Sequence, residues 1–412
     1  MEMNSSAPFP VLPELLESPE PSAPSAPSAD DQSFRFPYEI MNGPAGLFAK
    51  TYGEILEAPK EFFYISFLTV LGSVLSRKVT IATEIKPQPR LYTLLLGESA
   101  DDRKSTAIKK TCEFWRYVMD YLFKQSLSEC WGVGSAEGLA THINKRASNG
   151  IVLLCYDEFK SFISKANIKS SILLPCVNTL FEENRYENAI KNQYVLLKDA
   201  HLSILAASTM ETYEASWQRS FTDIGFNNRL FLVPGSGIRR ESLPPKIPEP
   251  VMENMAREVD KIFRFVGPYR EIGLSEAAKS MWHEWYMTRP RTIHGKRLDG
   301  YGLRLMLLMA VNNMVEIIDV DIVSDAIELI DWQHTVREIH DPIDAENQYA
   351  RMEQKIRTLL KLKGPLSDRD LKNFSNARRT GLMIFTSAIQ NLRREKEIML
   401  RRDRKWILLK ID

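Results

Sequence analysis

A lysine followed by two hydroxyl residues begins a helical pattern in this chain and could bind phosphate. In the stretch LYTLLLGESADDRKST, the apolar run Leu91 to Leu96 predicts a strand buried on both faces of a parallel sheet. A polar loop then leads to Lys104, Ser105 and Thr106, where a helix is predicted to start. Backbone N–H groups at a helix N-terminus hold phosphate oxygens, a lysine neutralises the β- and γ-phosphates, and a serine hydroxyl ligates Mg²⁺. The order of strand, loop and helix is typical of a phosphate-binding loop.

The spacing departs from the usual G-x-x-x-x-G-K-[ST] pattern at two positions. Arg103 stands where the second glycine belongs, and Gly97 comes one residue too early. An arginine carries a Cβ atom, so a left-handed backbone is costly there. A surface loop whose Arg-Lys pair caps a helix is the alternative interpretation. The candidate nucleotide-binding residues of this stretch are Gly97, Glu98, Ser99, Arg103, Lys104, Ser105 and Thr106.

Two acidic residues follow a second buried strand and could serve a metal ion and a water molecule. The run IVLLCYDEF predicts a strand that ends in Asp157 and Glu158. In ATPases the first carboxylate of such a pair holds Mg²⁺, and the second activates the attacking water. Ser105 and Asp157 are therefore candidate Mg²⁺ ligands, and Glu158 is the candidate general base. The alternative is that both acids cap the next helix.

Three more polar residues occupy positions where they could act on a bound nucleotide. Ser208 comes directly after the buried strand Leu202 to Ala207, where it could orient the lytic water or simply cap the next segment. Arg229 precedes the apolar strand Leu230 to Val233, and an arginine placed this way in ring ATPases reaches the γ-phosphate held by a neighbouring subunit. The alternative is a structural arginine at a strand edge. Arg304, on an otherwise apolar helix, needs an anionic partner, either a nucleotide or a structural salt bridge.

Changes in composition divide the chain into five segments that would position these residues. Residues 1–35 repeat Pro, Ser and Ala, cannot bury a core and are predicted to be disordered. Residues 36–90 have helical patterns, and residues 91–242 alternate strands and helices as an α/β core does. After a stiff proline-rich connector, residues 243–348 are predicted to be a helical lid, and residues 349–412 form a C-terminal domain.

The C-terminal segment combines a winged-helix pattern with a strong positive charge. Three helices are followed by two short strands joined by RRDRK. Residues 351–412 contain 17 Lys and Arg against 7 Asp and Glu, a net charge of +10. A winged helix places its third helix in the major groove of DNA and its wing on phosphate, although it can also dock a protein. The candidate nucleic-acid residues here are Arg378, Arg379, Arg401 and Arg402.

The composition of the chain limits which partners, cysteine sites and membrane segments it could have. The net charge of the whole chain is +1, so any attraction to nucleic acid must be local. The four cysteines have no C-x-x-C spacing and lie among apolar residues, which predicts buried free thiols in a reducing cytoplasm. No apolar segment is long enough to span a membrane, and no signal peptide is evident.

Taken in order, these motifs resemble the AAA+ ATPases. The minichromosome-maintenance-type helicases are similar in layout, because they place a β-hairpin before the strand with the polar end. Here two predicted strands, Glu187 to Ile190 and Tyr194 to Lys198, flank Lys191. Residues 36–304 also resemble a family of largely uncharacterised, primase-helicase-like P-loop proteins of bacteria, phages and mobile elements. The segments that carry this resemblance are FPYEIMNGPAGLFAKTYGEILEAPKEF, GSAEGLATHIN, YDEF and GFNNRLFLV.

The resemblance implies a P-loop NTPase core that is AAA+-like, with a RecA-like core as the alternative. It implies Lys104 and Ser105 at the nucleotide, Asp157 and Glu158 at Mg²⁺ and water, Ser208 as a sensor and Arg229 acting in trans. The expected function is an ATP-driven motor on DNA, working as a homo-oligomeric ring such as a hexamer, with Lys191 moving along the strand. An ATP-regulated DNA-binding or phage-defence adaptor that hydrolyses ATP slowly is the alternative.

Overall fold

The fold is described from a computed structural model. It covers residues 35–98, 102–146, 150–190, 193–216, 221, 225–237, 242–341 and 348–409. The strands are β1 (Val79–Ile81), β2 (Tyr92–Gly97), β3 (Glu129–Trp131), β4 (Ile151–Tyr156), β5 (Tyr186–Ile190), β6 (Gln193–Leu197), β7 (His201–Thr209), β8 (Phe231–Pro234), β9 (Arg270–Leu274), β10 (Ile317–Ile318), β11 (Leu366–Ser367), β12 (Ile398–Leu400) and β13 (Lys405–Leu408).

The helices alternate with the strands through the first two thirds of the chain. They are α1 (Gly43–Leu56), α2 (Lys60–Val74), α3 (Lys104–Phe123), α4 (Ala136–Arg146), α5 (Lys160–Ala166), α6 (Leu173–Glu182), α7 (Met210–Ser216), α8 (Glu249–Val266), α9 (Glu276–Thr288), α10 (Leu298–Asn312), α11 (Val320–His340), α12 (Gln348–Lys363), α13 (Asp368–Phe374), α14 (Ala377–Thr380) and α15 (Leu382–Arg394).

The centre of the molecule is a five-stranded, fully parallel sheet in the order β3-β4-β7-β2-β8. All six residues of β2 are buried, as the continuous apolar run predicts for a strand with neighbours on both sides. The chain leaves β2 towards β3 at the far edge and then returns strand by strand to β8. The predicted α/β class with a parallel sheet is confirmed.

Helices cover both faces of this sheet. Successive side chains of a strand point to opposite faces. The Thr93 hydroxyl meets that of Thr69 on α2 at 2.7 Å, whereas the Tyr92 hydroxyl donates to the carbonyl of Val177 on α6 at 2.8 Å. Residues 61–73 of α2 are all buried, which is why this helix is apolar all round rather than amphipathic.

The segment before β2 and the helical lid form one packed unit. β1 pairs in parallel with β9, and β9 pairs in parallel with β10, so three short strands from distant parts of the chain make a second sheet. The Asn312 side chain, at the end of α10, accepts from the backbone N–H of Ala45 at 2.9 Å and donates to the carbonyl of Asn42 at 2.8 Å. The predicted hairpin is present as the antiparallel pair β5 and β6.

The C-terminal domain (residues 348–409) has its own hydrophobic core. Helices α12, α13 and α15 surround a small antiparallel sheet in the order β11-β13-β12. Its buried residues include Ile356, Leu371 and Trp406, and Ile339 from α11 joins them. The predicted order of three helices and two strands is present, with β11 as an added short strand.

All four cysteines are free, with Cys112, Cys155 and Cys176 buried and Cys130 half-buried. Within the described residues, no helix is both long and apolar enough to cross a membrane.

Candidate nucleotide site

The carboxyl ends of β2, β4 and β7 bring three predicted site segments to one edge of the sheet. Gly97 is paired with Thr209, and Leu96 with Ser208, so the predicted phosphate loop begins beside the polar end of β7. On the other side of β7, the backbone N–H of Phe159 donates to the carbonyl of Ala207 at 2.8 Å. The Asp157-Glu158 pair therefore follows β4 at the same edge. In open α/β sheets, ligands bind at this edge, beside a strand where the connections reverse direction.

Lys104 is a buried cation held by neutral groups. It is the first residue of α3, and its ammonium donates to the carbonyls of Gly97, at 3.1 Å, and Glu98. Burial lowers the pKa of this ammonium from its usual range, against the opposing effect of the Asp102 and Glu98 carboxylates. Within the described part of the loop, no carboxylate forms an ion pair with Lys104, so a bound anion would satisfy its charge.

Arg103 adopts the left-handed backbone that a glycine would normally supply. Its φ is 48° and its ψ is 31°, and it is the N-cap residue of α3. Its guanidinium donates to the buried carboxylate of Glu57 at 3.0 Å, which anchors the residue to the end of α1. The sequence departs from the motif here, but the turn into the helix keeps the left-handed backbone.

Asp102 is a site residue that the sequence analysis missed. Its buried carboxylate accepts from the backbone N–H of Glu98 and from that of Gly237 at 2.8 Å. A Cβ atom on Gly97 would lie 2.7 Å from this carboxylate, so only glycine fits there. Asp102 thus ties the loop to the segment after β8. An Asp beside the Arg-Lys pair and a glycine ending a buried strand are the signals that could have indicated it.

Asp157 faces the helix that follows the loop. Its Oδ2 atom lies 2.9 Å from the ammonium of Lys109 on α3, and its Oδ1 atom is buried and accepts no hydrogen bond from the described residues. Ser105 lies four residues before Lys109, so both side chains are on the same face of α3. A serine hydroxyl and an orphan carboxylate oxygen are hard ligands suited to Mg²⁺. Ser105 and Asp157 therefore fit Mg²⁺. The ion would compete with the Lys109 ammonium for the Asp157 carboxylate.

Glu158, Ser208 and Thr106 are the other predicted residues at this edge. Glu158 is exposed, and its backbone carbonyl accepts from the Ser161 hydroxyl at 2.9 Å. Ser208 is buried, and its hydroxyl donates to the carbonyl of Thr209 at 3.1 Å. Thr106 is half-buried in the first turn of α3. Ser99 lies outside the described residues.

Arg229 lies at the opposite, amino edge of the sheet. β8 runs parallel to β2, and Phe231 is paired with Thr93, so Arg229 precedes both strands. The six residues of β2, about 20 Å at ~3.3 Å per residue, separate it from the phosphate loop of the same chain. Arg229 is buried, and its guanidinium donates to the carbonyl of Gly225 at 2.8 Å.

Arg304 is at the same amino edge, where its contacts are those of a structural salt bridge, the second of its two predicted alternatives, and not those of a nucleotide contact. Its guanidinium donates to the carbonyls of Arg90, at 3.1 Å, and Phe181, at 2.8 Å, and lies 3.5 Å from the Glu182 carboxylate. It also lies 3.9 Å from the centre of the Phe181 ring. The anionic partner that the sequence required is therefore a protein carboxylate, and Arg304 does not reach the phosphate loop.

The predicted nucleic-acid residues of the C-terminal domain are all exposed. Arg401 and Arg402 lie in the turn between β12 and β13, and the Arg401 guanidinium is 3.7 Å from the Asp403 carboxylate. Arg378 and Arg379 form the middle of α14, before the third large helix. The Arg379 guanidinium donates to the Glu98 carboxylate of the phosphate loop at 3.3 Å. Lys191, at the hairpin turn, lies outside the described residues.

Comparison with known proteins adds no relative to this picture. A scan against protein-family models gives no match to the chain, and a search of curated proteins gives none either. The function must therefore be argued from the residues themselves.

Proposed function

We propose that this chain binds ATP with Mg²⁺ at the carboxyl edge of β2, β4 and β7, hydrolyses it, and uses the C-terminal domain to bind DNA. The observation that carries the proposal is the ammonium of Lys104, buried on the carbonyls of Gly97 and Glu98 at the start of α3. A cation placed at a helix N-terminus beside a strand end is suited to phosphate. This supports a P-loop core for the parallel sheet, AAA+-like or RecA-like.

The role of each residue in this proposal follows from its position at the carboxyl edge of the sheet. Lys104 would neutralise the β- and γ-phosphates, and the backbone N–H groups at the start of α3 would hold their oxygens. Ser105 and Asp157 would hold Mg²⁺, whose charge offsets the charge on the phosphates. Glu158 would accept a proton from the attacking water, and Ser208 would orient that water from the neighbouring strand. DNA binding by a winged helix is supported by the exposed arginines of a domain with the expected element order.

Two substitutions separate binding from hydrolysis. Lys104→Ala should reduce ATP affinity at least tenfold, since a buried charge-assisted contact contributes roughly 1.5–3 kcal/mol. Glu158→Gln should retain ATP affinity and lose turnover, because the amide keeps the shape but cannot accept the proton. Calorimetry with ATP and a steady-state phosphate-release assay measure the two effects.

The matched control is Lys110→Ala, which removes a half-buried lysine from the same helix. Its ammonium pairs only with Glu113, at 2.6 Å, among the described residues. Equal ATP affinity in the Lys104 and Lys110 variants would contradict the phosphate-loop assignment. Turnover within a few-fold of the unmodified chain in Glu158→Gln would place the general base elsewhere.

A ring of identical subunits is part of the motor hypothesis. Arg229 lies across the sheet from its own phosphate loop, so only the nucleotide of a neighbouring copy could meet it. We expect the mass in solution to rise from one chain to a ring when a non-hydrolysable ATP analogue is added, as measured by sedimentation. A single chain under both conditions would contradict the ring and favour the adaptor function.

One observation favours that second function, an ATP-regulated adaptor that docks a protein. Leu382 and Met383 begin α15 with 51% and 83% of their surface exposed, and Met399 and Leu400 are exposed on the neighbouring strand. Exposed apolar side chains that lie near one another suit the docking of a protein. Stimulation of ATP turnover by DNA would support the motor, and its absence would support the adaptor.

A further inference from the structure

A cavity of about 560 Å³ lies between the phosphate loop and the C-terminal domain. One wall is formed by Gly97, Glu98 and Asp102 of the loop, and the opposite wall by residues of α12, α13 and α14. Its volume is in the range of cavities that bury a small organic ligand.

The cavity is lined by cations and aromatic side chains, and also by the carboxyl groups of Glu61, Glu98, Asp102 and Glu214. Near the loop, Arg379 extends from α14 and lies 3.3 Å from Glu98. Elsewhere the lining includes the aromatic side chains of Phe36, Trp332 and Phe374. Cations suit phosphate, and the exposed ring of Phe374 suits a planar base, whereas Phe36 and Trp332 are buried and pack edge to face on each other.

Arg379 and Lys104 both contact Glu98. The Lys104 ammonium donates to the backbone carbonyl of Glu98, and the Arg379 guanidinium donates to its carboxylate. The side chains of Arg379 and Glu98 are 39% and 57% exposed, so their ion pair contributes little stability. A multiply charged phosphate can therefore replace Glu98 as the partner of Arg379 at small cost.

We propose that the C-terminal domain completes the nucleotide site of its own chain. Arg379 exchanges Glu98 for the phosphates of the bound nucleotide, and the nucleoside half occupies the cavity against α12 and α13. This inference rests on the proposed nucleotide-binding function. It assigns to Arg379 a nucleotide contact in addition to the DNA contact predicted from the sequence.

The test is calorimetric titration of the full chain with ATP and with inorganic triphosphate. Arg379→Ala should weaken ATP binding roughly tenfold, as expected for one charge-assisted contact. Arg378→Ala is the matched control, because it removes the adjacent exposed arginine, which does not line the cavity, and ATP affinity should stay unchanged. Inorganic triphosphate, which lacks a nucleoside, should bind at least tenfold more weakly than ATP.

Glu98→Gln distinguishes a ligand contact from an ion pair that only holds the domains together. If Arg379 binds nucleotide, removing its competitor should leave ATP affinity equal or higher. If the pair is only structural, Glu98→Gln and Arg379→Ala should weaken ATP binding alike. That result would overturn the inference, and so would an Arg379→Ala affinity equal to that of the unmodified chain.

The Lys104→Ala variant separates failure of this inference from failure of the proposed function. ATP binding that is insensitive to Lys104 would overturn the phosphate-loop assignment, and the inference with it. ATP binding that needs Lys104 but not Arg379 would overturn only the role of the C-terminal domain. Thermal unfolding of each variant confirms that the loss is not caused by misfolding.

Discussion

Glu61 is a buried carboxyl group whose charged form the fold does little to stabilise. It lies in the first turn of α2 with 6% of its surface exposed, and the Tyr38 hydroxyl donates to it at 2.9 Å. Burial raises the pKa of Glu61 to about 7, in spite of that hydrogen bond. The folded chain therefore holds this group in its neutral form at a pH where the unfolded chain would release the proton.

The consequence is a loss of stability as the pH rises. The folded pKa is above the unfolded value near 4.5, so the contribution of Glu61 is complete below that pH and is lost as the pH passes through about 7. Glu61→Gln should remove this dependence. Between pH 4.5 and 8, the variant should gain roughly 3 kcal/mol of unfolding free energy relative to the unmodified chain. Urea unfolding at several pH values measures the difference.

Glu54→Gln serves as the control for that measurement. Glu54 is on α1, pairs with Lys60 at 3.1 Å and has about half of its side chain exposed. Its substitution should leave the pH dependence of stability as it is. A parallel dependence in the Glu61 and Glu54 variants would show that Glu61 is not the titrating group.

The sequence indicated where a residue lies relative to the sheet more readily than which distant residue it contacts. Lys104 and Asp157 come after β2 and β4, and Ser208 is near the end of β7, so all three are placed towards the same edge of one parallel sheet, and that relation is readable from the pattern. The partner of Arg304 was not readable. Glu182 lies more than a hundred positions earlier, and only the packing of α10 against α6 brings the two together.

At the scale of elements, the turn from β2 into α3 shows how a motif can change while its backbone remains. Arg103 has a φ of 48°, and Glu57 holds its guanidinium. A residue with a Cβ atom in this conformation costs about 1–2 kcal/mol relative to a right-handed backbone. The ion pair with a buried carboxylate offsets part of this cost.

Comparing alanine with glycine at position 103 isolates the backbone cost. Arg103→Ala and Arg103→Gly both remove the contact with Glu57, and they differ only by one Cβ atom. The glycine variant should be more stable by about 1 kcal/mol, because glycine adopts positive φ without strain. Thermal or urea unfolding of the two variants measures this. Equal stabilities would mean that the backbone relaxes from the left-handed region once the arginine is removed.

The positions of the strands could be predicted from the pattern of apolar residues, but the pairing of strands far apart in the sequence could not. The apolar runs predicted β2, β4, β7 and β8, and the parallel sheet that they form is present. The pairing of β1 with β9 joins strands about 190 positions apart, and nothing in either short segment indicates the other. For that reason the segment before the core and the helical lid were treated as separate, whereas they share a sheet.

At the scale of the whole molecule, charge is distributed unevenly between two packed units. Residues 351–412 have a net charge of +10 in a chain whose total is +1, so the remainder is net acidic. Lys355 of the C-terminal domain pairs with Glu214 of α7 at 2.6 Å, and Arg379 pairs with Glu98. Cations of the unit that would draw DNA thus also contact carboxylates of the other unit. We thus expect nucleotide to bind at one side of the C-terminal domain and DNA to bind at another.

The strength of DNA attraction should come from exposed arginines in the basic C-terminal domain. Arg401 and Arg402 lie in the turn between β12 and β13, and both are exposed. Each phosphate contact releases counterions, so the logarithm of affinity should fall with the logarithm of salt concentration by about 0.9 per contact on duplex DNA. Replacing both arginines by alanine should flatten this slope by up to about 1.8 and weaken binding at low salt, as measured by fluorescence anisotropy.

The matched control removes two exposed arginines from α8, Arg257 and Arg264, which pair with acidic neighbours on the same helix. That double variant has the same net charge as the variant in the turn, so a general field effect would change both slopes equally. A contact with DNA phosphate would change only the slope of the turn variant. If the turn variant keeps the full slope, the turn does not touch phosphate. The exposed Leu382 and Met383 would then mark the domain as a protein-docking surface, as the adaptor function requires.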